Sequence, residues 1–147
     1  MANSLDELLK ENESKKHATN TGNLLHKKLR LIRVLSDCVK VDSELKNRLE
    51  SCDGLPVFFT ENAQTEVPVA GVINGYFVSR RIDRLVVDDE NKIVRILDYK
   101  TDVDKCSRRD KYCAQLAEYA KLVRQIYPTY KIEKYILWLH DWTLEKL

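Results

Sequence analysis

The 147-residue sequence predicts one α/β domain, a small mixed β-sheet flanked by helices: helices first, a three-strand meander, then one helix and a last strand. Three observations predict it. Apolar residues recur at helical spacing through Leu24, Leu25, Leu29, Ile32 and Leu35, and again between about residues 109 and 126. Between these stretches lie β-branched runs separated by Asn74-Gly75 and by Asp88-Asp89-Glu90-Asn91, both turn signals. A further run of the same kind, residues 132–139, follows the long helix after Pro128.

Element by element, residues 1–19 read as a polar, linker-like leader and residues 20–147 as the folded domain. Thr21 suits the N-cap of the first helix. A second, short helix is expected from Ser43, with Leu45 and Leu49 four apart and an end near Asp53-Gly54. The first strand, residues 65–73, contains Pro68 and so belongs at a sheet edge. Asn74-Gly75 turns it into a second strand, residues 76–87, that carries Asp83; the third, from residue 92, carries Asp98 and Lys100. In the long helix Cys113, Leu116, Ala117, Ala120 and Val123 form a core stripe, with Tyr112, Gln115, Tyr119, Leu122 and Ile126 beside it.

Composition narrows the function classes. With 44% hydrophobic and 33% charged residues the chain has the make-up of a soluble globular protein. It has no apolar run long enough for a membrane span and no signal-peptide layout at its start. Cys38, Cys52, Cys106 and Cys113 lack metal-site or disulfide spacing and read as free thiols of a reducing, cytoplasmic compartment. Only four glycines occur and none builds a phosphate loop, so no nucleotide is expected in this domain. The net charge of +2 is uninformative, but basic clusters at Lys27/Lys28/Arg30/Arg33, Arg80/Arg81/Arg84 and Lys105/Arg108/Arg109/Lys111 bracket the same carboxylates. That distribution hints at a phosphate backbone as partner.

The chemistry centres on Asp83, Asp98 and Lys100. Strand alternation puts Asp98 and Lys100 on one side and Tyr99 on the other. A carboxylate and an amine so placed can serve metal-dependent phosphodiester cleavage, the carboxylate holding the cation and the amine positioning water or phosphate; the alternative is a surface ion pair. Gln115 and Tyr119, one turn apart, read either as cleft-lining polar groups or as core groups with local hydrogen bonds. His26, at the edge of the first helix's apolar stripe, reads as a cleft imidazole or a packed one.

Five stretches occur in an order that resembles the RecB-like branch of the PD-(D/E)XK nuclease superfamily. They are Gly22-Asn23-Leu24-Leu25-His26-Lys27-Lys28-Leu29, Glu66-Val67-Pro68-Val69, Arg81-Ile82-Asp83-Arg84-Leu85-Val86-Val87, Ile96-Leu97-Asp98-Tyr99-Lys100-Thr101 and Tyr112-Cys113-Ala114-Gln115-Leu116-Ala117-Glu118-Tyr119, with Ile136-Leu137-Trp138 resembling the family's last strand. The likeness is strongest to the C-terminal nuclease domain of AddA-type helicase–nucleases, which process broken DNA ends in recombinational repair. It implies a restriction-endonuclease-like core and a Mg²⁺-dependent DNA exonuclease, Mn²⁺ substituting. It implies metal ligation by His26, Asp83, Asp98 and the Tyr99 carbonyl, and a catalytic role for Asp83, Asp98 and Lys100. Gln115, Tyr119, Arg84 and Arg80 would contact DNA or support the site; Arg80 stands where relatives usually have glycine. Glu66 matches a recurrent family acid, for which a structural salt bridge is the favoured role. No iron–sulfur cysteine quartet is present. Expected partners are DNA, as a single strand at duplex ends, the helicase domains of a longer parent chain, and a second, AddB-like nuclease subunit. Two other readings share the fold: a DNA-binding or scaffolding module with a vestigial site, and a stand-alone phage or mobile-element nuclease.

Overall fold

A computed structural model describes residues 22–40 and 42–147 of the chain. The leader to residue 19 and the Thr21 cap lie outside the described residues. Helix α1 covers residues 22–31, and α2 is Ser43–Ser51. Five strands follow, β1 (Ala63–Ile73), β2 (Tyr76–Asp88), β3 (Ile93–Lys100), β4 (Lys131–Trp138) and β5 (Thr143–Lys146), with α3 (Lys105–Ile126) between β3 and β4. The sheet order is β1-β2-β3-β4-β5, antiparallel except for the parallel β3–β4 pair. Parallel neighbours need a long crossover, and α3 supplies it.

The helices cover opposite faces. Leu29, Ile32, Leu45 and Leu49 of the α1–α2 layer pack with Phe58, Leu97, Tyr99 and Leu137. Leu116, Tyr119, Ala120 and Val123 of α3 pack with Ile82, Leu85, Ile96, Ile136 and Trp138 on the other side. Asn74 and Gly75 both have positive φ, 52° and 82°, as the tight β1–β2 turn demands. Pro68, which has no N–H to donate, sits on an edge strand as expected. Gly71 lets α3 approach the sheet closely: a Cβ there would lie 2.4 Å from Gln125 Oε1.

Four expectations need correction. The first helix stops at residue 31, so Leu35 falls in a separate 3-10 turn, Leu35–Lys40, and Leu24 is 55% exposed rather than part of the buried stripe. Helix α3 starts at Lys105 instead of about 109, because the Asp104 side chain caps it by accepting from the Ser107 N–H. Its buried face is Tyr112, Leu116, Tyr119, Ala120, Leu122 and Val123, with Ile126 52% exposed at the helix end. Strand β5 is additional, its partner strand held partly by Trp138 Nε1 donating to Glu145 Oε2. No helix among the described residues is long and apolar enough to cross a membrane, and all four cysteines are free thiols.

Candidate metal and phosphodiester site

The site forms where the β1–β2–β3 meander loses its regularity. The β2–β3 ladder runs to the Arg84–Leu97 pair and stops. Past it, the Tyr99 N–H is satisfied by Asp83 Oδ2 at 2.9 Å, so the carboxylate wedges between the two strands. On the other side of Asp83, the β1–β2 register passes from Thr65–Arg84 to Val67–Ile82 and leaves out Glu66. Glu66 has φ 51°, a left-handed conformation that costs a non-glycine residue about 1 kcal/mol or more.

The inward face switches at this point. Arg84 and Val86 of β2 turn toward the α1–α2 layer, yet Ile82, of the same parity, packs with α3. In β1 Ala63 packs on the α1–α2 side and Val69 on the α3 side. Groups at the switch therefore reach both layers of the domain.

From one layer comes α1. Gly22 brings its start against β3's end, since a Cβ there would meet Thr101 Cγ2 at 2.5 Å. One turn later His26 points Nε2 at Asp83 Oδ1 (3.2 Å) and Glu66 Oε1 (3.6 Å), its ring edge-on to Tyr99 at 5.4 Å. His26, Glu66 and Asp83 each offer one ligand atom within 4.8 Å of the others, the only such group among the described residues. From the other layer come Lys100 and α3. Lys100 Nζ lies 2.6 Å from Asp98 Oδ2, donates to Gln115 Oε1 at 2.9 Å and rests over the Tyr112 ring at 4.1 Å. Gln115 Nε2 donates in turn to the Tyr119 hydroxyl at 2.8 Å.

The electrostatics are those of carboxylates crowded out of water. Burial, then the neighbouring Asp83 charge, push the Asp98 carboxyl up to about 7. Burial also opposes charge on Asp83, but the close contacts of His26 and Asp98 and the hydrogen bond from the Tyr99 amide outweigh it and hold Asp83 low. The Asp83 carboxylate beside His26 raises the imidazole against the opposing effect of burial. Burial and the charges of Asp98 and Asp83 push Tyr119 up to about 12, so it stays a neutral hydroxyl. Two atoms, His26 Nε2 and Asp98 Oδ2, are shut off from solvent with no well-directed hydrogen bond, despite their ion-pair contacts. An imidazole nitrogen, two or three carboxylates and orphaned buried ligand atoms fit a divalent cation that prefers oxygen donors.

The structure thus brings together His26, Asp83, Asp98, Lys100, Gln115 and Tyr119. Tyr99 presents its N–H to Asp83 and its hydroxyl to Arg84. Glu66, for which a salt bridge is the favoured role, makes two ion-pair contacts, Oε2 at 3.9 Å from Arg81 and Oε1 at 3.6 Å from His26 Nε2, and belongs to the ligand group. Tyr112, the platform beneath Lys100, opens the stretch that carries Gln115 and Tyr119, but nothing in the sequence assigns it this role.

Arg84 is fully buried and so does not meet DNA, one of the two roles expected for it. Its guanidinium donates to the carbonyls of Leu29, Ile32, Arg33 and Phe58 and to the Tyr99 hydroxyl, and stacks on Phe59 at 3.9 Å. It caps the end of α1, so its part is site support. Arg80 is half-exposed and paired with Glu118 of α3 at 3.0 Å. No protein-family model matches the chain, and no curated protein matches it.

Proposed function

We propose that this chain is a metal-dependent DNA nuclease domain that hydrolyses phosphodiester bonds, in the manner of the end-processing exonuclease of an AddA-type helicase–nuclease. The observation that carries the reading is the convergence of His26, Glu66, Asp83, Asp98 and Lys100 at the splayed end of β2 and β3. Surface ion pairs need no such break in a sheet. His26, Asp83 and Asp98 would hold Mg²⁺ or Mn²⁺, with Glu66 completing the acidic side. A bound cation lowers the pKa of water and offsets the charge gathering on the phosphate.

The chain's own groups do the positioning. Gln115 and the Tyr112 ring hold the Lys100 ammonium in place, so it can orient a water and meet charge that develops on a phosphate oxygen without moving. Tyr119 fixes the Gln115 amide from the next turn. Asp98, whose Oδ2 lies 2.6 Å from the Lys100 ammonium, keeps that cation beside the ligand group.

The test is cleavage of end-labelled single- and double-stranded DNA with Mg²⁺, with Mn²⁺ and with EDTA. We expect cutting that EDTA abolishes and that falls on the order of a hundredfold or more in Lys100→Ala and in Asp98→Ala, with circular dichroism unchanged. Full activity in either variant defeats the assignment. Calorimetric binding of Mn²⁺ without cutting would favour the non-catalytic binding module instead.

A further inference from the structure

Beyond the site, the β1–β2 hairpin continues as an arm of residues 68–73 and 76–81 with one uncovered face. On its α3 side, Val69 is buried and a Cβ at Gly71 would run into Gln125 and Leu122. On the opposite side, the cross-strand pairs Pro68–Arg81, Ala70–Ser79 and Val72–Phe77 are all exposed, Phe77 at 76%. This is the side on which α1 packs farther along the sheet.

Between α1 and the root of the arm lies a groove of about 250 Å³ lined by Asn23, His26, Lys27, Arg30 and Glu66. Residues 23, 26, 27 and 30 form one stripe of a helix. Lys28, off that stripe, pairs with Asp42 at 3.1 Å. Lys27 and Arg30, on it, are exposed and have no carboxylate partner among the described residues. Glu66 is common to the groove and the ligand group, and Arg81 beside it is 67% exposed.

Resting on the nuclease reading, we propose that this groove and the open face of the arm seat a single-stranded segment of nucleic acid leading into the site. Lys27 and Arg30 meet its phosphates on the α1 wall, with Arg81 at the root. The flat Ala70–Ser79 stretch lets unpaired bases lie against the sheet, and Phe77 offers a ring at the outer end. Two cations with no carboxylate partner among the described residues, set beside an acidic centre, make sense as phosphate seats, because they draw the polyanion to carboxylates that would otherwise repel it. A ring exposed at the end of a bare sheet face suits base stacking, which needs bases free of a duplex.

The test measures anisotropy of a fluorescein-labelled oligonucleotide of mixed sequence, single-stranded and as duplex, with the full chain in EDTA across a salt series. Lys27→Glu/Arg30→Glu is expected to weaken single-strand binding on the order of tenfold or more. It should also reduce the slope of log affinity against log salt by about 1.4, for two phosphates at ~0.7 each. The charge-matched Lys121→Glu/Arg124→Glu, exposed on α3 across the sheet from the groove, should stay within about twofold. Phe77→Ala should weaken binding about fivefold at low and high salt alike, since stacking is not screened.

No binding by the unaltered chain, unchanged binding in Lys27→Glu/Arg30→Glu, or an equal loss in the α3 control overturns the groove. Tighter binding of duplex than of single strand, lost equally in the groove variant, overturns the single-strand occupant. Because EDTA removes hydrolysis from the readout, the two readings fail separately. Salt-dependent binding lost in the groove variant, with no metal-dependent cutting by the unaltered chain, leaves the groove and removes the nuclease.

Discussion

The two halves of the β1–β2 hairpin are built on opposite plans. The root, residues 63–67 and 82–88, is covered on both faces, holds a buried arginine and three partly buried carboxylates, Glu66, Asp83 and Asp88, and breaks its own ladder at Glu66 and Asp83. The arm, residues 68–73 and 76–81, keeps regular pairing to its turn, with one face bare. The root gives up backbone regularity to aim side chains into both layers, and its surroundings must make good that loss. The arm keeps its hydrogen bonds and leaves its surface for contact.

The largest effect should come from removing what compensates the root. Arg84 is 0% exposed, and its guanidinium satisfies four backbone carbonyls while tying α1, which bears His26, to Tyr99 beside Asp98. Arg84→Leu fills much of the volume but leaves those acceptors without a donor. We expect a loss of about 3–5 kcal/mol in urea unfolding. Where the variant remains folded at low temperature, Mn²⁺ affinity should fall with it, because His26 is no longer held against Asp83. A variant of near-normal stability would mean that the carbonyls find other donors and the root is not arginine-clamped.

A smaller effect, of opposite sign in stability and function, is expected at Glu66. Its φ of 51° is a conformation glycine adopts freely. Glu66→Gly should therefore stabilise the metal-free protein by about 0.5–1 kcal/mol while weakening Mn²⁺ binding about tenfold or more. That pairing is the signature of strain retained for a site. If Glu66→Gly destabilises the protein and leaves Mn²⁺ affinity alone, the left-handed residue serves the fold, and the contrast between root and arm loses its functional meaning.

The arm was legible in the sequence and the root only in part, for a physical reason. Asn74-Gly75 and Pro68 act through their own backbone preferences, so the turn and the edge could be read locally. Asp83, Asp98, Lys100 and His26 could be read because their types and order carry chemistry. The clamp made by Arg84 could not: a cation in a basic cluster reads as surface, and nothing local shows that four carbonyls from two segments converge on it. The left-handed Glu66 is equally silent, since glutamate has no preference for that conformation and only its surroundings enforce it. At the other end, Lys105 to Arg108 fall before the expected helix start because charges hide its first turn, and the four residues of β5 are too few to show a period.

The least effect is expected where the root ends. Asp88 closes β2 into the next turn by accepting from the Asn91 amide N–H at 3.1 Å and side chain at 2.8 Å, with Arg95 at 3.5 Å. The Asn91 hydrogen bonds, aided by Arg95, hold its carboxyl below the ordinary carboxylate range. A group whose folded pKa is depressed adds stability at pH values above its unfolded pKa, and that contribution disappears as pH falls through the folded value. Asp88→Asn should thus lower the urea midpoint slightly near pH 7 and converge with the unaltered chain in strong acid. The turn at the arm's end, built on backbone conformation at Asn74 and Gly75, carries no titrating clamp of this kind among the described residues, so Asn74→Gly should shift the midpoint equally at both pH values. A pH-dependent shift in Asn74→Gly and none in Asp88→Asn would reverse the assignment: side-chain charge would then secure the arm, and backbone geometry the root.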